Sequence, residues 1–248
     1  MNKLLEVKNL IKNYYTKTGE IKALDNINFN VYEKEFLCII GPSGCGKSTL
    51  LNILANIEKK TSGKIIINKK NLKIGYMLQE DCLLPWLTIL DNATLGLELK
   101  HLKTKENIQY TKELLSKYGL KDFIYKYPNE LSGGMKQRVA LIRTLAIKPD
   151  ILLLDEPFSA LDYISRLEVS NDVYNIIKKE QKTVIMITHD IAEAISLANR
   201  IIVLSKRPAH VKSIYKINLK DNNPISKRKN IQFNTYYEIL WKDLDKNV

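Results

Sequence analysis

Short apolar runs alternate with helical patterns along most of this chain, and their order fixes the class of fold. Near the N-terminus, Leu4–Val7 and Ile21–Val31 alternate apolar and polar positions, as strands with one solvated face do. Phe36–Ile40 is apolar throughout, the pattern of a strand buried on both faces, and Gly46–Asn56 continues as a helix. Lys64–Asn68 and Ile74–Leu78 read as further strands. Helical spacing then takes over, from about Thr88 to Lys100 and from Thr104 to Tyr118. Pro128 breaks the chain, and a third helix over Gly134–Ile147 stops before Pro149, because the residue ahead of a proline avoids the helical region. Beyond it, strands Ile151–Leu154, Thr183–Thr188 and Arg200–Ser205 alternate with helices Ile164–Lys179 and Ile191–Ala198.

Alternation of this kind predicts an α/β fold: a mostly parallel sheet with helices on both faces, preceded by an antiparallel β portion. The stretch from about 88 to 147 holds helices and no clear strand, so it reads as a helical subdomain inserted into a single domain spanning 1–248. The tail, 224–248, carries the helix-like run FNTYYEILWKDL and is expected to pack on the core. No apolar run approaches the roughly 18 residues that span a bilayer, and the N-terminus lacks the apolar stretch and cleavage site of a signal peptide. A soluble, cytoplasmic chain is expected. Cys38, Cys45 and Cys82 contain no CxxC pair, which fits a reducing compartment and argues against a disulfide framework or zinc site.

Charge changes the picture less than its size suggests. The net charge is +12, with lysines dense at Glu58–Lys73 and Lys206–Lys229. These patches lack the interleaved aromatics that stack bases, so they read as solvated surface or as proximity to anionic lipid, and no nucleic-acid partner is expected.

The chemistry concentrates at a few strand ends. GPSGCGKST, comprising Gly41, Pro42, Ser43, Gly44, Cys45, Gly46, Lys47, Ser48 and Thr49, fits G-x-x-x-x-G-K-[ST] between a buried strand and a helix. Its glycines let backbone N–H groups approach phosphate oxygens; Lys47 would reach the β/γ-phosphates and Ser48 would ligate Mg²⁺. Cys45, inside this loop, predicts that a bulky thiol reagent blocks nucleotide binding. ILLLDEP ends a strand on Asp155, a second Mg²⁺ candidate, and Glu156, placed to polarise an attacking water. Of the three histidines, His189 ends a strand, where open α/β sheets place ligands, whereas His101 and His210 lie in polar surroundings. Gln79 follows a strand and could reach the metal or the water.

LSGGMKQR is a second glycine-bearing helix start, at Leu131–Arg138. With GPSGCGKST, Gln79, ILLLDEPFSALD and ITHD it stands in the order of motifs of ABC transporter ATP-binding subunits, which the chain resembles over essentially its whole length. The resemblance implies a P-loop ATPase that binds ATP and Mg²⁺, with Ser48, Gln79 and Asp155 at the metal and Glu156, His189 and Gln79 at the reacting phosphate. It aligns Tyr14 with the aromatic that stacks on adenine, Tyr15 next door remaining an alternative. It implies that Ser132, Gly133, Gly134 and Gln137 complete the ATP site of a second copy, and that the loop holding Asp162 crosses to that copy. A homodimer would drive separate transmembrane permease subunits at the cytoplasmic face of the cell membrane.

QEDCLLPWLTILDN, THDIAEAISLANRIIVLSKRPAHV and the short tail resemble the nitrate, sulfonate and taurine importer branch, which adds an extracytoplasmic solute-binding protein. Two departures, the short segment between Gly63 and Gln79 and RPA in place of the more usual RPG, leave the solute open. The rival readings are an exporter or lipoprotein-releasing ATPase, and a nucleic-acid-associated ABC ATPase. The last usually carries two cassettes or a long coiled-coil insertion, and neither is present.

Overall fold

The computed structural model describes residues 2–17, 19–220 and 223–245; the end of the expected tail helix, 246–248, lies outside them. The chain divides into two units, one combining Met1–Leu72 with Gln181–Val248, the other Lys73–Glu180.

In the first unit, β1 (Lys3–Thr16) and β2 (Gly19–Tyr32) pair antiparallel. β3 (Phe36–Ile40) leads through the glycine loop into helix α1 (Lys47–Leu54), and β4 (Ser62–Ile67) returns to the free edge of β1. β1 runs much further than the alternating stretch Leu4–Val7. Its register against β2 shifts at four places, and each irregularity resets the face that side chains take. The period-2 signal therefore fades although the strand continues. Against β4 there is a further irregularity, between Lys8 and Ile11, a stretch that includes Asn9 in a left-handed conformation at φ 50°. Gly63 of β4 faces it: a Cβ there would lie 2.3 Å from the Asn9 carbonyl oxygen, so only glycine fits.

The core of this unit is parallel. β3 is buried at every position and sits between β7 (Thr183–Ile187) and β8 (Arg200–Leu204), with Ile39 opposite Ile187 and Ile202. Helix α6 (Ile191–Leu197) links those two partners. The fully apolar runs of the sequence thus mark strands covered on both faces. β9 (Val211–Lys216) adds antiparallel to β8 and was not legible in the sequence. It is half-exposed and carries Lys212 and Lys216, the pattern of a strand that discourages edge-to-edge pairing, and it hides inside a basic stretch. Helices α7 (Pro224–Arg228) and α8 (Ile231–Asp245) follow. α8 buries Phe233 and Leu240, and Asp243 ties it to β9 through Lys212, Ser213 and the Tyr215 hydroxyl.

In the second unit, β5 (Ile74–Met77) pairs parallel with β6 (Ile151–Asp155). Between them come α2 (Ile89–Leu99), α3 (Lys105–Lys117) and α4 (Gly133–Ala146), and α5 (Tyr163–Lys179) closes the unit. Each of these four helices starts on an oxygen cap. Thr88 accepts from Asp91 N–H, Thr104 from Asn107 N–H, Ser132 from Met135 N–H and Asp162 from Ile164 and Ser165 N–H. From 88 to 147 the described residues form helices and short 3₁₀ turns without a strand.

Candidate nucleotide-binding site

The glycine loop joins the carboxyl end of β3 to α1, and its backbone is shaped by two glycines at positive φ. Gly44 stands at φ 70° and Gly46 at φ 120°. Gly46 caps α1 with no side chain, and the first turn holds no acid. The N-terminal backbone of the helix and the positive end of its dipole favour an anion here. A Cβ on Gly46 would lie 2.9 Å from Leu24, which closes the loop from below, whereas a Cβ on Gly44 would meet nothing within 4 Å. Lys47 is buried and folds back, its ammonium donating to the carbonyls of Gly41 at 2.9 Å and Pro42 at 3.0 Å. Ser43 and Ser48 are exposed.

Cys45 is only 1% exposed, and burial pushes its thiol above the ordinary range. The thiolate is the reactive species, so this burial speaks against the expected blockade by a bulky thiol reagent.

Two further residues of the first unit gather at this loop. The Tyr14 hydroxyl pairs with Thr49 Oγ1 of α1 at 3.2 Å, while the Lys12 ammonium lies 4.6 Å from the Tyr14 ring centroid. Successive β-strand side chains point to opposite faces, and Tyr15 is 75% exposed. His189 follows β7, whose parallel neighbour β3 feeds the loop, so both lie at the same carboxyl edge. Its turn is braced from both sides. The Thr188 hydroxyl donates to buried Glu193 at 2.7 Å and accepts from Asp190 N–H at 3.1 Å, while Asp190 caps α6 through Glu193 N–H at 2.9 Å. Among the described residues, no cluster of three or more His, Cys, Asp or Glu could hold a metal ion.

The second unit assembles the acids. Asp155 ends β6, buried, with its Oδ2 accepting from the Tyr76 hydroxyl of β5 at 3.1 Å. Burial and then the Asp155 charge push the Tyr76 phenol far above its ordinary range, so it serves as a neutral donor. Glu156 follows at φ 43°. A non-glycine residue in that region costs about 1–3 kcal/mol and clusters at functional sites. A chain of hydrogen bonds supports it: Gln79 Nε2 donates to Ser159 Oγ at 3.2 Å, and Ser159 Oγ donates to the Glu156 carbonyl at 3.0 Å. Gln79 and Glu156 are thereby connected. Sequence reasoning missed Tyr76 and Ser159. The strand pairing of β5 with β6 brings Tyr76 to Asp155, and no local pattern signals that.

Beyond Gln79, the segment 81–88 is pinned rather than loose. Buried Asn92 accepts from Leu84 N–H at 2.7 Å and donates to the carbonyls of Leu84 at 3.0 Å and Leu87 at 3.1 Å. The Arg143 guanidinium from α4 donates to the carbonyls of Asp81 at 2.6 Å and Cys82 at 2.8 Å. This rigid loop holds Trp86 out, 70% exposed.

The signature segment opens α4. Ser132 and Gly133 are exposed, and the Ser132 hydroxyl accepts from Met135 N–H at a long 3.4 Å. Gly134 packs on α5, where a Cβ would lie 2.7 Å from Val169 Cγ2. Gln137 points inward, buried, with its Oε1 unpartnered, and so differs from its exposed neighbours Ser132 and Gly133. Asp162 is exposed at the start of α5; the Ser165 hydroxyl, then its backbone partners, hold its carboxyl below the usual range.

An uncapped helix start, a loop lysine and glycines that keep the backbone open define the first unit as that of a P-loop nucleotide-binding protein. Comparison with known proteins narrows this. The ABC transporter family model matches residues 24–159. The aliphatic sulfonates import ATP-binding protein SsuB of Bacillus thuringiensis is 42% identical over 217 residues, 85% of this chain and 85% of that protein. The bicarbonate transport ATP-binding protein CmpD of Synechocystis is 40% identical over 249 residues, 97% of this chain and 88% of that protein. Among solved structures, the dimeric bacterial ABC transporter cassette MJ0796 is 36% identical with a TM-score of 0.73, covering 87% of this chain and 99% of that one. The same cassette in a post-hydrolysis state bound to ADP and Pi gives a TM-score of 0.72 at 35% identity over the same shares. The chain belongs to the ABC transporter family, as one of its ATP-binding and ATP-hydrolysing subunits.

Proposed function

We propose that this chain powers an importer for a small anion: two copies close on two ATP molecules, and closure is passed to separate permease subunits at the cytoplasmic face of the cell membrane. Trp86 carries the reading. A large aromatic held 70% exposed on a loop fixed by Asn92 and Arg143, beside Leu83, Leu84 and Pro85, has the chemistry of an anchor for a partner pocket. The loop begins next to Gln79, whose amide reaches the Glu156 turn through Ser159, so movement at the partner surface has a route to the reacting end. Two relatives of similar identity are named for sulfonates and for bicarbonate. Both solutes are anions, and that shared property is as far as similarity reaches. An extracytoplasmic solute-binding protein would complete the importer.

In this reading residues 41–49 cradle the phosphates and Lys47 exchanges the Gly41 and Pro42 carbonyls for β/γ-phosphate oxygens. Tyr14 rather than Tyr15 takes the adenine, because its hydroxyl already contacts α1. Glu156 accepts a proton from the attacking water, and His189 hydrogen-bonds the γ-phosphate. Ser132, Gly133 and Gly134 offer the start of α4 to the γ-phosphate held by the other copy, Gln137 supports that turn from within, and Asp162 lies on the loop that crosses over. The hydroxyl of Ser48, the amide oxygen of Gln79 and the carboxylate of Asp155 are hard oxygen donors that suit Mg²⁺. When bound, Mg²⁺ supplies positive charge to the phosphate oxygens.

The test is reconstitution with the transmembrane permease subunits that co-purify with this chain, in vesicles, with labelled aliphatic sulfonate and bicarbonate offered from the face of the solute-binding protein. ATP-driven uptake of one of them, lost with Trp86→Ala together with permease assembly while ATP binding is retained, is expected. Transport only in the opposite direction, or assembly of normal affinity with Trp86→Ala, overturns the reading.

A further inference from the structure

Asp155 is held by a residue that no motif includes. A carboxylate is a broad two-fold rotor about its terminal torsion, so a buried Asp whose oxygens must face a ligand needs a partner to set its plane. Strand register supplies one. Tyr76 stands opposite Leu153 in the parallel pair β5·β6, which puts it on the same face as Asp155, one diagonal step along. With strands about 4.8 Å apart and two residues rising about 6.6 Å, that diagonal spans roughly 8 Å, a gap only a long side chain crosses. The Tyr76 ring crosses it, and its hydroxyl donates to Asp155 Oδ2 at 3.1 Å.

We infer that Tyr76 is a positioning residue for Asp155: by donating to Oδ2 it fixes the orientation in which the carboxylate meets the divalent cation that accompanies ATP. This rests on the assignment of Asp155 to that cation made above. Hydrogen-bond partners of metal-binding carboxylates typically contribute about 10- to 100-fold to metal affinity, and Tyr76 is expected in that range. The donor is a side chain of β5, the strand that leads into Gln79, so the carboxylate is referenced to the same strand that carries the glutamine. Phenylalanine would keep the ring in place and remove only the donor, which makes the inference separable from packing.

The experiment uses the full chain and adenylyl imidodiphosphate, which is not hydrolysed, with Mn²⁺ as the cation. Nucleotide affinity is measured by titration calorimetry in Mn²⁺ and again in excess EDTA, and the ratio is the affinity that the metal contributes. Tyr76→Phe is expected to shrink that ratio about 10-fold or more, with EDTA affinity unchanged. Mn²⁺ electron paramagnetic resonance should show a broadened, less ordered site. An unchanged ratio, or a loss of affinity equal in both conditions, overturns the inference. Asp155→Asn is run alongside and should abolish the metal-dependent gain. If it does so while Tyr76→Phe retains the gain, Tyr76 alone is wrong; if Asp155→Asn also retains it, the metal assignment falls and Tyr76 with it.

Discussion

Two helix starts in this chain carry glycines, and they are built differently. At α1 the cap is Gly46, which offers no side-chain oxygen, and the buried Lys47 ammonium folds over the loop. At α4 the cap is Ser132, whose hydroxyl accepts the Met135 N–H at 3.4 Å, and neither Ser132 nor Gly133 is covered. The first brings a buried lysine charge and a backbone left open by glycines into one place. The second is an exposed start with a long internal cap and no lysine folded over it. A start that carries its own charge is equipped to hold an anion by itself; one without it contributes only when something brings the ligand to it. The difference fits a nucleotide kept at α1 and shared with α4 of another copy.

Removing the charge at the first start is expected to have the largest effect. Lys47→Ala should weaken ATP binding about 10- to 150-fold for each hydrogen bond to phosphate that it removes, as hydrogen bonds to charged groups are worth roughly 1.5–3 kcal/mol. Equilibrium dialysis with labelled ATP measures it. The native fold should survive, because the Lys47 ammonium donates to the Gly41 and Pro42 carbonyls of its own loop rather than bridging to another element. If affinity is unchanged, α1 is no cradle and the contrast between the two starts collapses.

The second start should behave in the opposite way. Ser132→Arg places a long cation on an exposed cap and is expected to leave ATP binding by the monomer intact. ATP-driven dimerisation, read by light scattering in a Glu156→Gln background that slows turnover, should be abolished. A dimer that still forms on ATP would show that α4 does not take part in the shared site.

What the sequence made legible follows the range of the interactions involved. Residues 41–49 could be read because a phosphate loop is local: spacing, glycine positions and the strand before it are close neighbours along the chain. The fully apolar strands β3, β6 and β7 were equally plain, since burial on both faces leaves little room for polar positions. Only the start of β1 is legible because its bulges erase alternation, and β9 is hidden because this edge strand carries lysines where a central strand carries apolar residues. The supports of the site were out of reach for a different reason. Tyr76 and Asp155 are 79 positions apart, Gln79 and Ser159 are 80 apart, and the loop behind Trp86 is fixed by Arg143, 61 or 62 positions away. Such pairs exist only once β5 lies beside β6 and α4 has docked on that loop. Cys45 shows the converse: its place in the motif is plain from the sequence, yet its burial is something the motif does not encode.

The smallest expected effect separates two reasons for a glycine. At Gly44 a Cβ would meet empty space, so the requirement there is conformational, set by φ 70° and by what must approach the backbone. At Gly134 the backbone is helical, and a Cβ would press to 2.7 Å of Val169 Cγ2. Alanine at 134 should gain about 0.5–1 kcal/mol of helix propensity and lose about 1–3 kcal/mol to overpacking, a net destabilisation of the order of 1 kcal/mol. Urea unfolding measures it, and the cycle with Val169→Ala should show a coupling of similar size, because the smaller neighbour makes room. If Gly134→Ala instead stabilises the monomer and shows no coupling to Val169, packing does not explain this glycine. Its requirement would then lie with the ligand, as at Gly44, and the two helix starts would be more alike than their caps indicate.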